Sequence, residues 1–337
     1  MSPRVSIIVP CYNEQHTIGL LLDALRQQKF PIKELEVIIA DGLSTDGTRD
    51  LIGRYKTTYP DLSLILIDNP KQTIPAALNK AIDRAKGEYI LRLDAHSVPR
   101  PDYVSICLDI LKKTDAANVG GAWEIRASRN HWLSRSIAVA AAHPLGAGDA
   151  RYRYKGAAGE VDTVPFGAYQ KVWIDRIGRF NESLLTNEDY EFNYRLRRAG
   201  GKIWFDPSIQ SVYFARPDIT SLGGQYLRYG YWKAAMLLNN PKSLRWRQAL
   251  PALFVAGLMG LLLLSTLLPN ARIFLAIYWL AYALITVGFA LREAISKREP
   301  GLLLGIPLAL WTMHIAWGSA FIWGIASRLF RRDRGRS

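Results

Sequence analysis

Three long uncharged, apolar stretches occupy the last third of this 337-residue chain. A helix crosses the hydrocarbon core of a bilayer with roughly 20 apolar residues, so each stretch is long enough to span it. The chain before about residue 240 has the composition of an ordinary soluble α/β protein. The predicted regions are a soluble domain over residues 1–220, an interfacial amphipathic segment over 221–247, a membrane region over 248–327 with apolar segments at 249–269, 273–291 and 301–327, and a basic tail over 328–337.

The net charge of +14 is concentrated after residue 240, where 12 Lys and Arg oppose three acidic residues and so contribute +9. These charges flank the apolar stretches, where they favour anionic lipid headgroups. A lipid bilayer is therefore the predicted partner, and nucleic acid is not. We expect no signal peptide, because an apolar strand follows the first four residues directly, and no disulfide framework, because there are only two cysteines. We expect a multi-pass protein of the inner (cytoplasmic) membrane whose soluble domain faces the cytosol, with its oligomeric state open.

The third apolar segment, residues 301–327, is too short for two full spans and longer than one requires. A complete third crossing would also export the basic tail, against the positive-inside rule. Pro307 and Gly318 are positions where such a helix could bend. We therefore predict that this segment re-enters the membrane or lies tilted, which leaves the C-terminus in the cytosol.

The first hundred residues alternate between strand and helix patterns. Apolar residues repeat with helical spacing from Ile18 and again from Ile74, and short apolar runs between these helices predict strands. This alternation predicts a mostly parallel sheet with helices on both faces. Ligands of such sheets bind outside the carboxyl ends of the strands. The predicted strands cover residues 5–9, 36–40, 64–67 and 89–93.

Polar residues follow three of these strands at that edge. They are Asn13 and Glu14 after the first strand, Asp41 after the second, and Asp94 and His96 after the fourth. Asp41 opens a loop rich in Asp, Ser and Gly, which either shapes a turn and caps the next helix or contacts a ligand. Asp94 suits a divalent cation that binds phosphate, although a hydrogen-bonded Asp–His pair would show the same pattern.

Asn187, Glu188 and Asp189 precede an amphipathic helix predicted over residues 190–199. Two acids in a first turn could serve only to stabilise the helix dipole, with Asn187 as the cap. Because they follow an earlier acidic cluster at a strand end, they also suit a base that is separate from a metal-bound phosphate donor. The sequence leaves both interpretations open at this point.

Several segments together resemble the family 2 glycosyltransferases with the GT-A fold, and in particular their succinoglycan-biosynthesis group. The resemblance implies a GT-A catalytic domain over residues 1–220, Rossmann-like, followed by interfacial helices and a C-terminal helical membrane region. It also implies a nucleotide-sugar donor, a lipid-linked acceptor and a divalent metal, Mn²⁺ or Mg²⁺. The segments that carry it are residues 5–14, 94–97, 160–168, 178–200 and 225–232.

The chain departs from the family pattern at two positions. His96 stands where the DxD motif has its second Asp, and imidazole suits Mn²⁺ better than Mg²⁺. Tyr229 stands where the QxxRW motif of membrane-embedded members has Trp. The first departure leaves the identity of the metal open.

The resemblance also implies roles for individual residues. Asp189 is the expected general base, and Glu188 an acid that orients the acceptor. Gln225 and Arg228 would bind the departing diphosphate or an acceptor phosphate, although an interfacial helix with snorkelling side chains would show the same pattern. Metal binding is expected of Asp94 and His96, and donor nucleotide binding of Pro10, Tyr12, Asn13, Glu14, Asp41 and Asp94.

The reaction implied by the resemblance is an inverting transfer of a hexose, glucose from UDP-glucose, onto a polyprenyl-diphosphate-linked sugar in exopolysaccharide or surface-glycan synthesis. One alternative is transfer onto polyprenyl phosphate itself, whose anionic oxygen needs no base. Another is a catalytically inactive, membrane-anchored protein that binds sugar nucleotides. The basic, glycine-rich loop over residues 143–155 fits either an acceptor lid or a solvated surface loop.

Overall fold

The computed structural model describes residues 3–148, 150–243 and 246–334. They form two compact units, one of residues 1–124 and 151–213 and the other of residues 125–150 and 214–337. This division differs from the predicted continuous domain over 1–220, because side chains of residues 125–150 share an apolar core with the C-terminal helices. From residue 330 onward, the side chains of the predicted basic tail lie outside the described residues.

The described strands form one nine-stranded mixed sheet in the order β3-β2-β1-β4-β8-β6-β9-β5, with β7 beside β9. The first four strands of this order are parallel, and β8 joins β4 antiparallel. All four predicted strands are present, and the predicted GT-A-like architecture is confirmed. The strands are β1 Val5–Cys11, β2 Leu35–Asp41, β3 Ser63–Asp68, β4 Tyr89–Arg92, β5 Val98–Pro99, β6 Asn118–Ala127, β7 Gly159–Glu160, β8 Ala168–Gln170 and β9 Ile203–Ala215.

The described helices alternate with the first strands and then follow one another at the C-terminal end. They are α1 Ile18–Arg26, α2 Thr48–Thr58, α3 Ile74–Arg84, α4 Tyr103–Thr114, α5 Trp132–Ala141, α6 Pro144–Ala147, α7 Lys171–Ile177, α8 Glu188–Arg198, α9 Ile219–Asn239, α10 Trp246–Leu267, α11 Ala271–Lys297 and α12 Leu302–Arg334.

Alternate residues of the parallel strands face two apolar layers. Ile7 and Val9 of β1 point into the layer covered by α1, α2 and α4, whereas Ile8 points into the layer covered by α3, α7 and α8. Full burial of such a side chain stabilises a fold by about 1.5–3 kcal/mol. Strands buried on both faces are nearly continuous in apolar residues, and this is why short apolar runs predicted them.

The second unit is built from α5, α6 and α9 to α12. Its main core joins Ile137 of α5, Leu222 of α9 and Met313 of α12. In the described part of the chain, three helices are long and apolar enough to cross a membrane, as predicted. These segments are Gln248–Leu267, Ala271–Lys297 and Leu302–Leu329.

The third apolar segment forms one continuous helix, so the predicted re-entrant form, which needs a break in the helix, is wrong. The helix α12 is unbroken from Leu302 to Arg334, and Pro307 lies within it. Gly318 serves a helix contact instead of a turn, because a Cβ atom there would lie 2.3 Å from the Pro251 carbonyl oxygen of α10. A tilted helix or a complete crossing remains.

Candidate active site

Hydrogen bonds join the loops that follow β1 and β2. The Asn13 N–H donates to Ser44 Oγ at 2.8 Å, and the Asn13 side-chain oxygen accepts from the Thr45 N–H at 2.9 Å. The Glu14 N–H donates to Thr48 Oγ1 at 2.8 Å. Asn13 takes a left-handed backbone conformation, φ 53°, which Asn tolerates better than most residues. The two strand ends therefore present one continuous loop surface.

Asp41, the last residue of β2, is fully buried and organises its own loop. One carboxylate oxygen accepts from the Ser44 N–H at 2.9 Å and from Arg49 Nη1 at 2.8 Å. Arg49 Nη2 also lies 2.9 Å from Asp68 Oδ1 at the end of β3. The Asp41 side chain is 0% exposed, and its other oxygen accepts from the Ser44 hydroxyl. Asp41 therefore braces the loop, and its contact with a nucleobase stays a prediction.

Tyr12 supplies an exposed aromatic ring at the same edge. Its side chain is 48% exposed, and its ring packs against Gly42, where a Cβ atom would lie 3.0 Å from the ring. An exposed ring in this position can stack on a base. Pro10, the penultimate residue of β1, lies two residues before Tyr12 and is partly buried. These residues stay predicted donor contacts.

A buried arginine links the two predicted acidic clusters. Nε of Arg92, at the end of β4, lies 3.3 Å from Asp94 Oδ1, and its Nη1 lies 3.0 Å from Glu188 Oε1. The second contact has ion-pair distance without the alignment of a hydrogen bond. The side chains of Arg92 and Glu188 are 8% and 6% exposed. The chain thus brings the strand-end acid and the helix-start acid to one guanidinium.

Glu188 and Asp189 are adjacent but differ in their surroundings. Burial raises the pKa of Glu188 to about 7; the positive charge of Arg92 opposes this rise, and the negative charge of Asp189 adds to it. Asp189 is partly exposed, and its Oδ1 accepts from the Tyr190 N–H at 2.7 Å. One carboxylate is held inside the protein by Arg92, and its neighbour is accessible for proton transfer. Such separation is how paired acids acquire different roles.

Two backbone features position these acids. The Gly167 carbonyl accepts from the Arg92 N–H at 3.0 Å, and a Cβ atom on Gly167 would lie 2.4 Å from Asn118 Oδ1. A side chain at position 167 would therefore collide with Asn118 of β6, and glycine avoids this collision. Asn187 has φ 66°, and its side chain makes no capping hydrogen bond, so it is not a conventional cap. Left-handed non-glycine residues cost stability and cluster at functional sites.

Asp94 and His96 fit a divalent cation only in part. Among the described residues, no group of three or more His, Cys, Asp or Glu side chains could hold a metal ion. His96 Nδ1 lies 3.1 Å from Glu14 Oε1. Burial opposes ionisation of Glu14, but the hydrogen bonds with His96 and Thr17 outweigh it and lower the pKa of Glu14. Asp94 and His96 can supply two ligands, which suits a cation that takes its other ligands from a diphosphate.

Gln225 and Arg228 lie on α9 in the second unit. Gln225 is buried, and its Nε2 donates to the Tyr229 hydroxyl at 2.8 Å, whereas Arg228 is exposed. Gln225 therefore supports the helix, and Arg228 is available to an external anion. In the predicted interfacial segment, residues 244 and 245 lie outside the described residues, as does Asp149 of the loop over 143–155.

Sequence reasoning missed Arg92, which is the centre of the cluster. The signal was present, because Arg92 is a cation within an otherwise apolar strand, and a charged residue is almost never buried there without a partner. It also missed the hydrogen bonds that fix α8: Tyr190 donates to Asp162, and Asn193 Nδ2 donates to Thr163 Oγ1 at 2.9 Å. Those partners are far apart in sequence, and no local pattern predicts them.

A Rossmann-like sheet that carries acids at its carboxyl edge, with an acid-bearing helix held beside it, defines a glycosyltransferase of the GT-A class. The sequence profile of Glycosyl transferase family 2 matches residues 6–178. The chain is also 31% identical over 325 residues to the succinoglycan biosynthesis protein ExoA of Rhizobium meliloti (strain 1021), covering 94% of this chain and 93% of that protein. This chain belongs to glycosyltransferase family 2, and it is an enzyme of polysaccharide or glycan biosynthesis.

Two further similarities extend over almost the whole chain. A Methanococcus voltae protein, dolichyl N-acetyl-alpha-D-glucosaminyl phosphate 3-beta-D-2,3-diacetamido-2,3-dideoxy-beta-D-glucuronosyltransferase, is 29% identical and covers 95% of this chain and 97% of its own length. The solved mannosyltransferase PcManGT from Pyrobaculum calidifontis, in complex with GDP-Man and Mn²⁺, has a TM-score of 0.63 and 23% identity and covers 96% of this chain and 88% of its own. The structural likeness supports the GT-A fold.

Proposed function

We propose that this protein is a membrane-associated, inverting hexosyltransferase that moves glucose from UDP-glucose onto a polyprenyl-diphosphate-linked sugar. The observation that carries the proposal is the accessible Asp189 beside the buried Arg92–Glu188 pair, whose arginine also contacts Asp94. Similarity to a succinoglycan biosynthesis protein and to a transferase that acts on a dolichyl-phosphate-linked sugar supports the acceptor class.

In the proposed mechanism, Asp189 accepts the proton of the acceptor hydroxyl while that oxygen attacks C1 of the donor sugar. UDP leaves from the opposite face, so the anomeric configuration inverts. Arg92 fixes Asp94 and Glu188 by charge, which keeps the acids in position during the reaction. A positioned base contributes roughly 10²–10⁴-fold to such a reaction.

Asp94 and His96 are the residues that would hold a divalent cation. The cation would supply positive charge against the diphosphate leaving group. The donor nucleotide would lie against the loops after β1 and β2, with Tyr12 and Asp41 next to the nucleobase. The hydrogen bonds between these two loops, and the burial of Arg92 and Glu188 beside them, support this placement of the donor because they hold the surface in a fixed form before the donor binds.

A panel experiment tests the proposed reaction. Purified protein in detergent is incubated with UDP- and GDP-sugars, with polyprenyl-diphosphate-linked sugars or polyprenyl phosphate as acceptor, and with Mn²⁺ or Mg²⁺. Transfer from UDP-glucose onto a diphosphate-linked sugar, with inversion seen by NMR, is the expected result. Transfer onto polyprenyl phosphate alone would establish the alternative acceptor. Absence of both transfer and donor hydrolysis across the panel would indicate an inactive binding protein.

His96 should set the metal preference. We expect the wild-type protein to bind Mn²⁺ more tightly than Mg²⁺ in the presence of UDP, and His96→Asp to shift the preference towards Mg²⁺, because a carboxylate replaces an imidazole. Competition between the two ions, followed by the electron paramagnetic resonance signal of bound Mn²⁺, measures this without turnover. His131→Asp is the control, since His131 caps α5 in the second unit. An identical preference in His96→Asp and wild type would show that the imidazole does not bind the metal.

We also propose that the enzyme lies in the inner membrane with its catalytic unit in the cytosol and α12 tilted along the membrane surface. Half of the apolar window of α12 is buried within the protein, compared with 11% for α10 and for α11. Among its neighbours are α5 and α9, which carry Arg135 and Arg228 and are poorly suited to the hydrocarbon core.

A reporter fused after Ser337 should therefore be active in the cytosol and inactive in the periplasm, because α12 does not cross. A second fusion in the loop between α10 and α11 should show the opposite pattern and acts as the control. Periplasmic activity after Ser337, with the catalytic unit still cytosolic, would mean three complete crossings.

A further inference from the structure

A small cavity with a cationic rim lies at the C-terminal end of α11, within the second unit. Its volume is about 250 Å³. Arg126, Arg135 and Lys297 line it, together with the acidic side chain of Glu299. Its other walls are apolar, and one of them is Leu302, the first residue of α12. Three positive charges and one negative charge, beside an apolar surface, suit an anion that also has an apolar part.

Arg135 is held in place at the rim of this cavity. Its Nε donates to Glu299 Oε2 at 2.7 Å, and its Nη1 donates to Asn130 Oδ1 at 2.8 Å. These are the side-chain hydrogen bonds that Arg135 makes in the described part of the chain, so its Nη2 keeps two N–H donors for a ligand. A guanidinium favours phosphate oxygens, with which it forms charge-assisted hydrogen bonds. Arg135 can therefore bind a phosphate without leaving Glu299.

The turn that ends α11 brings Lys297 and Glu299 to the same cavity. Arg298 ends the helix in the left-handed conformation, φ 54°, and the Glu299 N–H donates to the Ala294 carbonyl at 3.0 Å. Lys297 Nζ lies 3.5 Å from Glu293 Oε2, and the Lys297 side chain is 47% exposed. An exposed pair of this kind contributes little to stability, so an anion in the cavity can compete with Glu293 for Lys297.

The surroundings of the cavity have the character of a membrane boundary. Ile295, two residues before Lys297, is 69% exposed, and Leu304 in the first turn of α12 is 74% exposed. Trp132 is exposed beside the connection between α11 and α12, because a Cβ atom on Gly301 would lie 2.9 Å from Trp132 Cβ. Exposed Trp and Lys at the end of a long apolar helix are typical of the lipid headgroup layer. A cavity at this level is accessible to headgroups.

We infer that this cavity binds the headgroup of an anionic glycerophospholipid of the bilayer, with the phosphate among Arg126, Arg135 and Lys297 and the glycerol part against the apolar walls. This lipid is neither the donor nor the acceptor of the sugar. The inference does not depend on the proposed reaction, because the cavity contains no residue of the candidate active site. Charge complementarity favours an anionic lipid, and the position at the end of α11 favours a lipid over soluble phosphate.

The test measures binding of phosphatidylglycerol to the full-length protein, released from detergent, by native mass spectrometry. Phosphatidylcholine with the same chains carries no net charge, and glycerol 3-phosphate has the phosphate without the chains. We expect each to bind at least about fivefold more weakly than phosphatidylglycerol. Equal binding of phosphatidylcholine would overturn the preference for an anionic headgroup. Equal binding of glycerol 3-phosphate would assign the cavity to a soluble phosphate and overturn the lipid assignment.

Substitutions of the charged wall residues should change the affinity in opposite directions. Arg126→Gln and Lys297→Gln should each raise the dissociation constant for phosphatidylglycerol by about fivefold, the effect of one cation near an anionic lipid. Glu299→Gln should lower it by a similar factor, because the variant removes the negative charge that lines the cavity and releases Arg135 from its ion pair. A damaged fold would not produce such a gain of affinity.

The matched control is Arg298→Gln, which removes an exposed cation next to Lys297 in the sequence but outside the cavity. It should bind phosphatidylglycerol like wild type. A loss equal to that of Lys297→Gln would indicate diffuse attraction to a basic surface and would overturn the inference. Unchanged affinity in folded Arg126→Gln and Glu299→Gln would also overturn it. Thermal unfolding of each variant separates a change in binding from a loss of fold.

Discussion

Asp189→Asn should lower the rate of sugar transfer by about 10²–10⁴-fold while UDP still binds with wild-type affinity. The amide keeps the size of the side chain and cannot accept the acceptor proton. Because Asp189 is partly exposed beside buried Glu188, the exchange should also leave the fold intact. Steady-state transfer with a lipid-linked acceptor, together with calorimetric titration of UDP, measures the two effects separately.

The matched control is Asp175→Asn, which removes an exposed carboxylate that pairs with Arg179 on the protein surface. It should transfer sugar at the wild-type rate. Equal transfer by Asp189→Asn and wild type would reject Asp189 as the base. A large loss of UDP affinity at unchanged turnover of bound donor would instead assign Asp189 to donor binding.

Arg92→Met should destabilise the protein by about 3–5 kcal/mol, the usual effect of leaving a buried charge without its partner. Arg92 opposes the burial effect on Glu188, so its removal should raise the pKa of Glu188 further above about 7. Where folding raises the pKa of a carboxyl group, the free energy of unfolding falls as pH rises from the pKa of the unfolded state to the pKa of the folded state. The deficit of Arg92→Met relative to wild type should therefore be largest at alkaline pH, as measured by thermal unfolding in detergent.

The double variant Arg92→Met/Glu188→Gln removes both members of the ion pair and should recover much of that stability, because no buried Glu188 charge is left uncompensated. The pH profile of kcat/KM gives a second readout in Arg92→Lys, which keeps the charge but not the paired contacts. Its acidic limb should lie at higher pH than the wild-type limb, because Glu188, the acid that is expected to orient the acceptor, is less well held in its charged form without the contacts of Arg92. If the pH profiles of kcat/KM coincide for Arg92→Lys and wild type, and Arg92→Met is as stable as wild type, Arg92 does not position Asp94 and Glu188.

The sheet was predictable because each of its first four strands is an apolar run between helical repeats. The polar residues at its carboxyl edge were predictable for the same reason, since a strand that ends in Asp or Asn places that side chain at the edge. The spatial proximity of Asp94 and Glu188 was not predictable from their spacing in the sequence alone. It depends on Arg92, which contacts both acids, and on the hydrogen bond from the Arg92 N–H to the Gly167 carbonyl, which joins segments far apart in the chain.

In the membrane region, the sequence predicts the helices but not the contacts between them. Its three helices follow from the lengths of the apolar segments, but the behaviour of Gly318 does not. Glycine can end a helix, bend it or allow a neighbour to approach, and only the position of Pro251 distinguishes these outcomes. Likewise, Arg228 looks the same in sequence whether it serves a nucleotide, a lipid phosphate or the headgroup layer.

The hydrogen bonds between the β1 and β2 loops, and the contacts of Arg49 with both Asp41 and Asp68, make the predicted nucleotide edge a rigid template. A ligand that binds a preorganised surface loses less affinity to the ordering of loops. The choice among nucleobases then rests on how well each one fits a fixed edge. Exchange of donor specificity by mutation would accordingly require changes in the network behind the contact residues as well as in the contact residues themselves.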